Sequence, residues 1–244
     1  MLALLTLLAA PAAPAATLVT PSGDAVPENL LRIGLHLDAP LSAALDMVRV
    51  TLFDDNGAVI EHAFLDLPLA SADGKSVTLL LDPGRIKTGV GPNVALGPAL
   101  RAGQGVRLRV DDPQLGHAVE KRWRVESSLR SRIEPQHWTV RLAKRGSRQA
   151  LRIGFPTALD GDAAPLLALQ GPDGRRLAGS ARLADGEREW RFTPASAWRP
   201  GTYLLRIHPR LEDPQGNRLC SAFEQAGQSA QQCGEEGRRE FIIE

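Results

Sequence analysis

Leu31, Ile33, Leu35 and Leu37 alternate with Arg32, Gly34 and His36, the period of two that sets one strand face in a core and the other in solvent. Ala39-Pro40-Leu41-Ser42 ends the run, and Thr17 to Glu28 before it reads as an extended entry with turn residues. Val48, Val50 and Leu52 alternate with Arg49 and Thr51 and predict the next strand. Asp54-Asp55-Asn56-Gly57 follows. Asn-Gly accepts the positive φ angles of a tight primed turn, so a hairpin is expected, with Val59 to Leu67 as the returning strand. Val77 to Leu81 is a further β-rich run, closed by Asp82-Pro83-Gly84. Residues 85–100 are rich in Gly and Pro and read as an inserted loop with one short helix. Val106 to Val110 alternates again, and Lys121 to Val125 ends the first half.

The pattern then starts over. Leu151-Arg152-Ile153-Gly154 repeats Leu31-Arg32-Ile33-Gly34 unchanged 120 positions later. Gly171-Pro172-Asp173-Gly174 stands where the first half has its Asp-Asn-Gly hairpin, Glu189 to Pro194 corresponds to Leu79 to Pro83, and Tyr203 to Ile207 corresponds to Gly105 to Arg109. Asp112-Pro113-Gln114 returns as Asp213-Pro214-Gln215 at an offset of 101, a shortfall about the size of the insertion. Phe241 to Ile243 is the last strand, and Ser127 to Pro135 between the copies is polar, basic and aperiodic. Seven or so short strands in each half fit a β-sandwich. The expected fold is all-β: two tandem immunoglobulin-like sandwiches, 17–126 and 137–244, joined by a linker at 127–136, the first with an inserted loop at about 85–100.

The repeat resembles the bacterial Ig-like domain found in S-layer and other cell-surface proteins, the SbsA type. Val26-Pro27-Glu28-Asn29 leading into the first strand, Ala39-Pro40 and the Phe53 to Gly57 hairpin carry the resemblance. So does Leu211-Glu212-Asp213-Pro214-Gln215-Gly216-Asn217, which looks like the family's Asp-x-x-Gly-Asn turn; the first half has Leu115-Gly116-His117 at that place. Such domains serve as spacers, binders and accessory modules, so the resemblance implies a fold without naming a function.

The remaining composition bears on compartment and chemistry. An apolar share of 43% with 23% charge is ordinary for a folded chain and argues against disorder. Met1 to Ala16 reads as a signal peptide, because Leu2 to Ala10 is apolar but too short to span a bilayer and Ala13-Pro14-Ala15 supplies small residues for cleavage. Export to the periplasm or beyond follows, with no membrane span downstream. In an exported chain the two cysteines, Cys220 and Cys233, are expected to form a disulfide; a metal pair is the weaker reading, with no His nearby.

Candidate chemistry is sparse. No nucleophile motif, phosphate loop or metal-ligand spacing occurs, so neither a catalytic residue, a metal site nor a cofactor is assigned. His36 and His62 read as surface histidines. The oxygen-rich turns Asp54-Asp55-Asn56 and Glu212-Asp213-Gln215-Asn217 read as self-capping before they read as calcium sites. Glu187 and Glu189 alternate onto one strand face and are expected to face solvent, and Trp123, Trp138, Trp190 and Trp198 are expected in the cores, the alternative being a glycan-stacking platform. Charge is uneven: residues 17–100 balance to −5, residues 101–152 to +8 and residues 153–244 to −2. Within the basic seam, Arg107, Arg109, Arg122 and Arg124 should share an outer face and form a patch for an anionic ligand. The function expected is a non-catalytic exported module, structural or binding, at the cell envelope. Its partner classes are an envelope protein or an anionic polysaccharide met through the seam, and not nucleic acid. An accessory unit of a secreted hydrolase is the second alternative.

Overall fold

The computed structural model describes residues 17–87, 91–128, 130–223 and 237–244. The first half contributes β1 (Thr17–Thr20), β2 (Ala25–Pro27), β3 (Arg32–Leu37), β4 (Val50–Asp54), β5 (Leu69–Ala70), β6 (Ser76–Leu80), β7 (Gly105–Val110) and β8 (Val119–Glu126), with the short helices α1 (Pro83–Ile86) and α2 (Pro92–Leu96) in the insertion. The second contributes β9 (Thr139–Arg141), β10 (Leu151–Gly154), β11 (Leu167–Gln170), β12 (Gly179–Ala184), β13 (Glu189–Pro194), β14 (Gly201–Ile207) and β15 (Arg238–Ile243).

Strand order identifies the fold. In the first half β1-β3-β6-β5 form one sheet and β2-β8-β7-β4 the other; in the second, β9-β10-β13-β12 face β11-β14-β15. Lettered in chain order, the second half is an ABED sheet on a CFG sheet, the constant-type immunoglobulin arrangement. The first half differs only in that its opening strand is split: β1 pairs antiparallel with β3, and β2 crosses to pair parallel with β8. Pro27 is tolerated in β2 because that strand lies at a sheet edge. The chain is thus an all-β tandem of immunoglobulin-like sandwiches.

Each sandwich has its own hydrophobic cluster. The first runs from Val19 to Val125 and is aliphatic apart from Trp123. The second runs from Ile133 to Ile243 and contains a continuous chain of rings, Trp190, Phe192, Trp198, Tyr203 and Phe241, with successive centroids 5.3–6.2 Å apart. All four Trp are buried. The indole N–H groups of Trp123, Trp190 and Trp198 donate to the carbonyls of Pro21, Ala164 and Gln149, so the polar atom of each is satisfied as burial demands.

The repeated Leu-Arg-Ile-Gly has a steric reason. Gly34 lies opposite Thr20, and Gly154 lies opposite Thr139. A Cβ at either glycine would come within 2.5 Å of the opposing threonine Oγ1. The first strand of each sandwich can pass that closely only over a residue without a side chain.

Several sequence expectations need correction. The opening segment 17–28 holds two strands. Val48 lies in a 3-10 turn and is exposed, so β4 begins at Val50. The turn after β4 is not primed: among Asp55, Asn56 and Gly57 only Gly57 has a positive φ, +77°, and Asp54 Oδ1 accepts from the amides of Asn56 and Ala58. Residues 59–67 form no continuous strand. They bridge to β4 at Val59, then cross to bridge Leu81 from Phe64, moving from the edge of one sheet to that of the other. The insertion holds two helices, each with proline at its first turn. It is fastened by the buried Arg85 guanidinium, which donates to the carbonyls of Glu61, Gly97 and Pro98. The inward residues of β14 are Tyr203, Leu205 and Ile207 and those of β7 are Val106, Leu108 and Val110, so Tyr203 corresponds to Val106, one residue from the match read in the sequence. Ile133, placed in the linker, is buried in the second core.

Tyr203 sits near the start of β14 with its hydroxyl donating to Arg199 O at 3.0 Å and accepting from Arg199 N at 3.2 Å, the tyrosine corner of immunoglobulin-like sandwiches. Tyr203→Phe should therefore cost about 1–2 kcal/mol, the range for two neutral hydrogen bonds. Chemical denaturation measures this, with an unchanged midpoint as the opposing result.

Candidate functional site

Arg107, Arg109, Arg122 and Arg124 lie on the outer face of β7 and β8 together with Glu120. Across β7 and β8, Arg107 lies opposite Arg122, Arg109 opposite Glu120 and Gly105 opposite Arg124, and all four arginines point away from the core that holds Val106, Leu108 and Trp123. Two of them are already engaged. Arg107 and Arg109 each approach Glu120 Oε1 at 3.0 Å, Arg109 also reaches Asp111 at 2.8 Å, and the Arg107 guanidinium lies 4.4 Å from the Phe53 ring centroid. Arg122 and Arg124 remain exposed.

The other polar concentration joins the two sandwiches and was not foreseen. Arg32, on β3, reaches across to the second half: Nη1 donates to Glu212 Oε1 at 2.7 Å, and Nε lies 3.5 Å from Asp160 Oδ2. The neighbouring amide of Leu31 donates to Pro214 O at 3.0 Å. The second copy of the Asp-Pro-Gln turn thus docks directly on the start of β3 in the first copy. Behind it, Asp213 is 1% exposed. Its carboxylate accepts from the amides of Gln215 and Asn217 and from Asn217 Nδ2, at 2.8–3.0 Å.

A second contact lies beside the first. The β12–β13 turn runs through Asp185, Gly186 and Glu187, all with left-handed φ near +60°. This swings Glu187 off the strand, so its carboxylate accepts from Ser22 N at 2.8 Å and Ser22 Oγ at 2.6 Å. Glu187 is 4% exposed, not solvent-facing as the alternation predicted, because the strand period stops at the turn. Glu189, on β13, pairs with Arg191. Two non-glycine residues in the left-handed region cost of order 1–3 kcal/mol each, so the contact holds a strained backbone in place. Backbones approach closely here: a Cβ at Gly186 would lie 3.0 Å from Gly23 Cα, and one at Gly161 would lie 2.5 Å from Thr20 Oγ1.

Burial sets the electrostatics of this junction. It pushes the Asp213 carboxyl up to about 6 against the pull of its donors, and it raises Asp160 against the attraction of Arg32. Burial also works to raise Glu212, but hydrogen bonding and charge from Arg32, with help from Arg218, bring it below the usual carboxylate range. His36 contacts Thr20 Oγ1 at 3.1 Å and lies 3.7 Å from Asp162; His62 adopts φ +51°. Among the described residues no group of three His, Cys, Asp or Glu is placed to hold a metal ion, and no helix is long and apolar enough to cross a membrane. Cys220 is half-buried against the second core. Cys233 and residues 1–16 lie outside the described residues.

No protein-family model matches the chain, and no curated protein matches it. Solved structures that resemble it include the titin domains Z1Z2 in complex with telethonin, at 14% identity over 90% of this chain and 88% of that one, TM-score 0.23. A native α-2-macroglobulin from Escherichia coli spanning domains MG0-NIE-MG1 aligns at 13% identity over 87% and 66%, TM-score 0.24. SGBP-B of the Bacteroides ovatus mixed-linkage glucan utilization locus, in complex with a mixed-linkage heptasaccharide, aligns at 14% identity over 80% and 40%, TM-score 0.21. Likenesses this distant leave the immunoglobulin-like assignment resting on strand order.

The raised Asp213 gives a signed pH dependence. Between its ordinary value of 3.8 and about 6 the folded chain keeps a proton that the unfolded chain has lost, so stability falls as pH rises through that window. Glu212 acts oppositely, losing its contribution below its ordinary 4.5. Asp160, also raised, acts in the same sense, so denaturation midpoints measured from pH 4.5 to 7 should decline for the parent and decline less for Asp213→Asn; parallel slopes would show that Asp213 is not a group responsible.

Proposed function

We propose that the chain is an exported, non-catalytic pair of immunoglobulin-like sandwiches, of the S-layer and cell-surface type, acting as a stiff structural or binding module at the cell envelope. The observation that carries this reading is the junction, where Arg32, Asp160, Glu212, Ser22 and Glu187 make charged and hydrogen-bonded contacts between the halves. A spacer has to transmit orientation, and buried directional contacts do so better than a greasy interface that can slide. Residues 17–126 and 137–244, the latter extended to take in Ile133, are the two units joined in this way. The seam of Arg107, Arg109, Arg122 and Arg124 is the weaker candidate for ligand binding, since Glu120 and Asp111 occupy half of it. No observation favours a hydrolase accessory role.

Stiffness is tested by small-angle scattering. The parent should give one narrow distribution of dimensions, and Arg32→Ala/Glu187→Ala a broader, longer one. Arg32→Ala should also cost on the order of 2 kcal/mol, below the roughly 3–5 kcal/mol of a fully buried pair because Arg32 keeps some solvent contact, and Glu187→Ala about 1–3 kcal/mol, the scale of losing its charged hydrogen bonds to Ser22. Identical scattering curves for parent and variant would remove the junction as the stiffening device.

Export has its own test. Material exported by the native host should begin near Ala16 and carry no alkylatable thiol, with Cys220 bridged to Cys233. A closed loop of about 14 residues is worth roughly 3 kcal/mol in the chain-entropy model. An intact Met1 on exported protein, or two free thiols, would contradict it.

A further inference from the structure

The tetrapeptide that occurs twice meets two opposite electrostatic environments. Arg32 in the first copy is neutralised by Asp160 and Glu212. Its counterpart Arg152, on β10, lies directly opposite Arg141 on β9 and Arg191 on β13, and Arg191 lies directly opposite Arg182 on β12. Four arginines therefore stand in one row across all four strands of the sheet. With strands about 4.8 Å apart the row is about 14 Å long. It lies on the outer face, since Leu151, Ile153, Trp190 and Phe192 on the same strands point into the core. Arg141, Arg152 and Arg182 are exposed and Arg191 is half-buried.

Such a row opposes the fold. Like charges directly opposite one another across strands destabilise a sheet, and a face kept charged only for solubility is served by interspersed signs. Here a single carboxylate, Glu189, pairs with Arg191; among the described residues none salt-bridges Arg141, Arg152 or Arg182. Beside the row, a shallow depression is lined by polar and charged residues, among them His137, Thr139, Asp185, Arg188 and Glu189, together with Phe155 and Pro156. Hydroxyl-bonding groups thus border a line of fixed cations. No aromatic residue occupies an outward position on the four strands, which besides the arginines carry Thr139, Gly154, Ser180, Ala184, Glu189 and Thr193. A nucleic-acid strand laid along the row would find no ring on these strands to stack on.

We propose that this row binds a linear anionic polysaccharide carrying repeated carboxylates, a polyuronate, laid across the strands, each planar guanidinium offering a carboxylate a bidentate fork. The repulsion among the arginines is then relieved on binding. The proposal names a ligand for the binding-module reading, and it involves none of the junction residues on which stiffness depends. Loss of the row therefore leaves the scattering curve unchanged, and the two ideas fail separately.

Binding of the full chain to polygalacturonate, measured calorimetrically at low and physiological salt, tests it. The parent is expected to bind, more weakly as salt screens exposed charges over a Debye length of about 8 Å. Arg152→Gln/Arg191→Gln should weaken binding by about tenfold or more, the scale of losing one to two charged hydrogen bonds. Arg141→Gln/Arg182→Gln, at the sheet edges, should weaken it similarly and decides the matter if the central pair fails to fold. The edge variant Arg141→Gln/Arg182→Gln should melt at or above the parent temperature, because it removes a repulsion and leaves the Glu189–Arg191 pair intact. Arg107→Gln/Arg122→Gln on the first sandwich should bind like the parent. No binding by the parent, undiminished binding by the row variants, or an equal loss from the first-sandwich variant would overturn the assignment. So would tighter binding of single-stranded DNA of equal charge, which would make the ligand a nucleic acid.

Discussion

One guanidinium, that of Arg32, decides how the two sandwiches relate. It sits at the start of β3 with Glu212 at 2.7 Å and Asp160 at 3.5 Å, and the backbone beside it donates to Pro214. An uncompensated charge at this half-buried spot would be costly, so the carboxylates of the second half are required wherever Arg32 is held. Around that requirement the other contacts fall into place: the strained turn that presents Glu187 to Ser22, and the glycines that let Gly23 meet Gly186 and Gly161 meet Thr20. The junction is polar and geometrically exacting, which suits a pair of domains that has to keep one orientation.

Repetition and divergence work together here. The same local plan folds twice because Ile33 and Ile153 fill equivalent core positions and Gly34 and Gly154 admit an opposing threonine. The arginine before each isoleucine points out of the core and has been used differently: as a tie between sandwiches in the first copy, and as part of an exposed cationic row in the second. The first copy adds the insertion, clamped by Arg85, and a split opening strand. The second links five of its aromatic rings in one run of stacked and edge-to-face contacts.

The alternation at Ile33, Leu35 and Leu37, at Val106, Leu108 and Val110, and the returning Asp-Pro-Gln made the sandwich tandem legible, because period-two burial and turn chemistry are local properties. The outward placement of Arg107 and Arg109 was legible for the same reason. The junction was not. Arg32 and Glu212 are 180 positions apart and Ser22 and Glu187 are 165 apart, and nothing in either neighbourhood announces the other. Glu187 misled because alternation was carried through a turn where three left-handed residues reverse the chain. The arginine row was hidden because each strand contributes only one member, and strand register creates the line. The return strand after Gly57 failed where the segment left one sheet edge for the other, a tertiary choice without a local signature.

The proposed stiffness requires that the two sandwiches move as one body through the Arg32 junction. Amide ¹⁵N relaxation of the full chain measures this most directly, since the rotational correlation time is read separately from β3 and β7 and from β10 and β14. Equal correlation times for the two sets, becoming unequal in Arg32→Ala, are expected. Two different, shorter times in the parent would mean that the sandwiches tumble independently and that the contacts around Arg32 do not hold them.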